Sequence, residues 1–80
     1  MHYFLITDNH DNLTGLRLAG IEGVLVKSRS DCIREITKAV SNPEIAILII
    51  SESLALLCCA EMNQLKQNSR LLVVEIPAGK

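Results

Sequence analysis

Ile45-Ala46-Ile47-Leu48-Ile49-Ile50 is apolar at every position and rich in β-branched isoleucine. A strand with one face in water alternates polar and apolar side chains, so this unbroken run predicts a strand covered on both faces at the centre of a parallel sheet. Three other runs surround it with related character. His2 to Thr7 is short, mostly apolar and followed by Asp8, and Gly23-Val24-Leu25-Val26-Lys27 is a second. Leu71-Leu72-Val73-Val74-Glu75-Ile76 is the last and stops at Pro77, which has no N–H to give to a ladder.

Between these runs the apolar period lengthens from strand to helix spacing. Ile33, Ile36, Thr37 and Val40 recur at i, i+3, i+4 and i+7. That spacing puts one stripe on a helix capped by Ser30 and ended before Asn42-Pro43. Leu54, Leu57, Cys58, Met62 and Leu65 form a similar stripe on a helix from near Ser51 to near Asn68. Glu52 falls in its first turn, where the helix dipole favours a negative charge. Asn12 to Ala19 predicts a shorter helix that tolerates Gly15 at about 1 kcal/mol relative to Ala and stops at Gly20.

The order is β-α-β-α-β-α-β, and such alternation implies a parallel sheet with helices on both faces. Reversal of the chain after its second strand gives the strand order 2-1-3-4. The expectation is one small doubly wound, flavodoxin-like α/β domain spanning residues 1–80, since 80 residues leave room for a single core.

Charge and composition narrow the function. Lys and Arg total 8 against 9 Asp and Glu, a formal charge of −1, so no basic footprint exists for a phosphate backbone. Tyr3 and Phe4 are the only aromatic residues, which removes the stacking platform that single-stranded nucleic acid needs. No apolar run approaches the roughly 20 residues of a membrane span, and no leader is evident, so the expectation is a cytoplasmic protein without direct membrane insertion. Cys32, Cys58 and Cys59 are odd in number and include an adjacent pair, which fits reduced thiols.

Ligands in doubly wound folds bind outside the carboxyl ends of the strands, here Asp8 to Asn12, Ser28 to Asp31, Ser51 to Ser53 and Ile76 to Gly79. Asp8 is placed like the first acid of a receiver domain, and a receiver-like phosphate-binding signalling module is therefore the alternative reading. Such a domain also carries an Asp at the end of its third strand, where Ser51-Glu52 stand here, and a fifth strand that this chain lacks. The plainer role for Asp8 and Asp11 is to cap the first helix. Thr7 with Thr14-Gly15 is only faintly similar to a phosphate loop, and no P-loop or dinucleotide fingerprint is present. The cysteines lack the spacer of redox or zinc motifs and read as small apolar packing. His2 and His10 lie at opposite ends of the first strand, about 20 Å apart at strand rise. No catalytic, cofactor-binding or metal-binding residue is assigned.

One resemblance takes the reading further. Asp8 after the first strand, then Thr14-Gly15-Leu16-Arg17-Leu18-Ala19-Gly20-Ile21, then the strand leading to Ser51-Glu52, then Val73-Val74-Glu75-Ile76-Pro77 resemble the F subunit of V-type and archaeal-type ATP synthases. Leu16 stands for the family's Phe and Ser51 for its Thr. The resemblance implies a non-catalytic rotor component without a cofactor. It would dock on the D subunit of the central stalk and help couple ATP synthesis or hydrolysis to proton or sodium transport, peripheral to the membrane. It marks Asp8, Gly15, Leu18, Gly20, Glu52, Glu75 and Pro77 as motif or interface positions. It also implies a C-terminal helix after Ile76-Pro77, which the expectation for these 80 residues leaves out. The last strand is apolar apart from Glu75, so its outer edge is expected to be covered by another chain, a second copy or the stalk partner.

Overall fold

The structure, a computed structural model, describes residues 2–68 and 71–77, with side chains at 65–68 outside the description. Four strands form one parallel sheet in the order β2-β1-β3-β4: β1 is His2–Thr7, β2 Glu22–Leu25, β3 Ile45–Ser51 and β4 Leu72–Ile76. The helices are α1 His10–Leu18, α2 Arg29–Ser41, α3 Glu52–Leu57 and α4 Cys59–Asn68. The apolar run at 45–50 lies inside the sheet between β1 and β4, as its lack of polar residues requires.

Register sorts the side chains into two faces. Phe4 pairs with Leu48 and Leu48 with Val73, while Ile6 pairs with Ile50 and Val24. This face joins Cys32, Ile36, Ala39, Leu54, Ala55, Cys58 and Met62 in a single buried cluster, so α2, α3 and α4 cover it. Leu5 pairs with Gly23 on the other face. A Cβ at Gly23 would come within 2.7 Å of Leu5 Cβ and 3.1 Å of Leu13 Cδ1, which places α1 against this side. Right-handed crossovers running in opposite directions from β1 give this two-sided arrangement.

Each helix departs in detail from its sequence reading. α1 begins at His10 rather than Asn12, and its cap is Asn9, whose side chain accepts from Asn12 N–H. Neither Asp8 nor Asp11 caps it. Its end is as expected: Gly20 adopts φ +87°, its N–H donates to Arg17 O, and Ile21 N–H donates to Leu16 O. These two bonds close the helix in a Schellman motif that needs the left-handed residue.

In α2 the cap is Ser28, not Ser30: Ser28 Oγ accepts from Asp31 N–H at 3.2 Å. The buried stripe is Cys32, Ile36 and Ala39, while Thr37 and Val40 are exposed and Ile33 is half-buried. The stripe is therefore turned by about one residue from the one the large aliphatics suggest. Cys32 and Ala39 are small enough to let the helix approach the sheet closely.

The third predicted helix divides at Cys58, whose φ −112° and ψ 41° are not helical. Hydrogen bonds from Cys58 N–H to Leu54 O and from Met62 N–H to Cys58 O bridge the break. The bend buries Leu54, Ala55, Cys58 and Met62 and leaves Leu57 exposed, contrary to the stripe expected for it. Leu65, the last member of that stripe, lies outside the described side chains.

Candidate functional site

The carboxyl ends of β1 and β3 lie side by side, with Ile6 opposite Ile50, so the residues that follow share one rim of the sheet. Asp8 is half-buried there and both of its oxygens are engaged. Ser51 Oγ donates to Oδ1 at 3.2 Å and Ser53 Oγ donates to Oδ2 at 2.7 Å. Thr7 is fully buried, and its Oγ1 accepts from Asn9 N–H at 3.0 Å and from Asn12 Nδ2 at 3.5 Å. Ser51 stands at the N-cap of α3 but makes no side-chain capping bond, because its hydroxyl is turned to Asp8.

A carboxylate receiving two hydroxyl protons is a fixed acceptor. It latches the β1–α1 loop to the start of α3 and satisfies the hydroxyl of Ser51, which is buried. Glu52, the other acid at this rim, is exposed on α3. Among the described residues no group of three or more His, Cys, Asp or Glu side chains is arranged to hold a metal.

A further contact stiffens the rim. Arg29, the first residue of α2, pairs with Glu61 of α4 at 2.7 Å. Cys32 and Cys58 are both fully buried in the core cluster. Burial first, then Cys58, then the negative charges of Glu61 and Asp8, push the Cys32 thiol up to about 12. A thiol so displaced stays protonated at neutral pH and is inert as a nucleophile or metal ligand. Cys59 is exposed beside Asn63.

The residues marked by sequence fall at separate places. Asp8 and Glu52 occupy the β1–β3 rim. Gly15 and Leu18 lie on α1 and Gly20 in the turn that ends it; Leu18 is 86% exposed and Gly15 has open space around it. Glu75 and Pro77 are exposed in and just after β4. These groups lie on separate elements of the fold. His2 opens β1 and His10 opens α1, both exposed. Of the strand-end segment from Ile76, positions 78 and 79 lie outside the described residues.

Sequence reasoning missed the role of Ser53 and an open stretch of the sheet. Ser53 has no local signal, since its partner is 45 positions away. On the α1 side, α1 packs against β1 and β2, and no described helix covers β3 and β4. Tyr3, Leu72 and Val74 are consequently 46%, 60% and 40% exposed.

No helix among the described residues is long and apolar enough to cross a membrane. No curated protein matches the chain. A doubly wound sheet whose strand-end acid serves as a latch is compatible with many roles, and the family comparison separates them. The model of the family described as ATP synthase (F/14-kDa) subunit matches residues 4–80, nearly the whole chain, which therefore belongs to that family.

Proposed function

We propose that this chain is the non-catalytic F subunit in the central stalk of a V-type ATP synthase. In this role it docks on the D subunit and helps couple ATP synthesis or hydrolysis to proton or sodium transport. The observation that carries the reading is the family match across residues 4–80. The engagement of both Asp8 oxygens by Ser51 and Ser53 supports it, because the one acid placed for phosphoryl chemistry serves to hold the fold. The protein would be cytoplasmic and peripheral, held at the membrane by the rest of the complex. Asp8, Gly15, Leu18, Gly20, Glu52, Glu75 and Pro77 would serve as motif or interface positions.

Away from its partners, the terminal strand β4 would take up a second copy along its outer edge. Support comes from its place at the end of the sheet and from the tendency of edge strands to be covered. Sedimentation at high concentration, with amide exchange along Leu72 to Glu75, tests this point. A strict monomer with fast exchange there would exclude it.

Add-back to a cognate rotary ATPase depleted of its own F subunit tests the main reading. The expected outcome is incorporation of the chain and recovery of ATP-driven ion pumping. Absence of the chain from the purified complex would contradict the proposal.

A further inference from the structure

We infer that the outer edge of β2 pairs with the same edge of a second copy of this chain, antiparallel about a two-fold axis at Leu25. β2 ends the sheet on the side away from β4, and among the described residues no strand lies beyond it. α1 packs on β1 and β2, and α2 on β1 and β3, so both helices lie over the faces of the sheet. Hydrogen bonds fix which groups of β2 point outward. Thr7 stands opposite Leu25, and Val26 N–H donates to Thr7 O at 2.9 Å. Alternate residues of a strand turn their backbone groups to opposite sides. Glu22, Val24 and Val26 therefore serve β1, whereas Gly23, Leu25 and Lys27 direct N–H and C=O away from the sheet. Past β2, Val26 keeps this ladder bond and Ser28 is again extended, at φ −131° and ψ 160°, before α2 begins at Arg29. The outer edge thus runs from Glu22 to Ser28, and Leu25 is its midpoint.

Register and charge identify the occupant. In an antiparallel pair, opposed residues both face the partner strand or both face away, so an outward residue must meet an outward one. With Leu25 opposite its own copy, Gly23 meets Lys27, Val24 meets Val26 and Glu22 meets Ser28. The three outward pairs then supply about six backbone hydrogen bonds. Neighbouring registers are worse. One sets Glu22 against the buried Val26, and the other sets Gly23 against Arg29, which is already helical. The side chains favour the central register as well. Lys27 lays its stem over a residue without a side chain, and two β-branched valines face each other. Each end of the ladder brings Lys27 of one copy to within one residue of Glu22 of the other, while like charges stand at opposite ends. Glu22 and Lys27 are exposed and make no ion pair among the described residues. An edge lysine deters pairing where it meets apolar or like-charged groups, but this one meets a glycine and a carboxylate. The ladder is short, so the pair is weak and forms well above the micromolar concentrations at which a stalk complex is read. The inference does not depend on the stalk reading.

The test records amide spectra and hydrogen exchange of the isotope-labelled chain from about 20 μM to about 1 mM, the range of a weak contact. Concentration-dependent shifts are expected from Glu22 to Ser28, with slowed exchange at Gly23, Leu25 and Lys27. Lys27→Glu should weaken pairing about threefold or more, the scale of exposed charge pairs, and adding Glu22→Lys should restore it. In a Cys59→Ser background, Leu25→Cys should give a covalent dimer on oxidation with copper phenanthroline. Opposed Cα atoms of a hydrogen-bonded pair lie about 5.5 Å apart, within reach of a disulfide. Glu22→Cys, distant from its own copy, should stay monomeric under the same treatment. Spectra that do not change with concentration, a charge swap that fails to restore pairing, or cross-linking of Glu22→Cys as fast as Leu25→Cys would overturn the inference. So would a dimer that protects Leu72 to Glu75 and leaves Glu22 to Ser28 unchanged, which would place the contact at β4.

Discussion

Ser53 Oγ donates to Asp8 Oδ2 at 2.7 Å, joining the first turn of α3 to the end of β1 across 45 positions of sequence. The same carboxylate receives the buried Ser51 hydroxyl, so the rim where such folds hold ligands is closed by the chain's own side chains.

Asp8→Ala is expected to cost about 1–2 kcal/mol, because it leaves the buried Ser51 hydroxyl without its acceptor. Asp8→Asn, which keeps an acceptor oxygen, should cost less. Urea denaturation gives both values. Acetyl phosphate with Mg²⁺ should leave the intact mass of the wild-type chain unchanged; an adduct on Asp8 would show that the latch opens to phosphoryl chemistry.

Three glycines should respond with different signs to replacement by Ala. Gly15 lies on the exposed side of α1 with nothing within 4 Å of an added Cβ, so Gly15→Ala should stabilise by about 0.5–1 kcal/mol. Gly20→Ala should destabilise by about 1 kcal/mol or more, since φ +87° is strained for any L side chain. Gly23→Ala should destabilise by about 1–3 kcal/mol, because its Cβ would meet Leu5 O at 2.8 Å as well as the Leu5 side chain. Thermal melts of the three variants decide the order.

The raised Cys32 thiol makes stability fall in alkali. The unfolded thiol ionises near 9.0 while the folded one holds its proton to about 12, so the unfolded state binds fewer protons between these limits. The contribution is fully present below pH 9 and is lost toward pH 12, with a limiting slope of about 1.4 kcal/mol per pH unit. Denaturation midpoints of wild type and Cys32→Ala, measured from pH 8 upward, should converge as pH rises. Parallel profiles would show that Cys32 is not the group responsible.

The sheet was legible because its signal is local and redundant. Ile45 to Ile50 reads as a strand inside a parallel sheet, and β3 does lie between β1 and β4, although on the α1 side no described helix lies over it. Helix faces were harder. Ile33 and Val40 outrank Cys32 and Ala39 in apolar size, yet close approach to the sheet selects the small residues. The bend at Cys58 and the choice of Ser28 over Ser30 as cap depend on where α3 and α2 meet the sheet, which periodicity does not encode. The resemblance rests on residues that stand in the sequence itself, whereas the Asp8–Ser53 latch requires two strand ends to become neighbours first.

Sedimentation velocity of this chain mixed in equimolar amount with its cognate D subunit tests the central claim most directly. The account predicts one species at the mass of a one-to-one complex, formed without nucleotide or metal. Two boundaries sedimenting independently, each at the mass of its separate component, would contradict it.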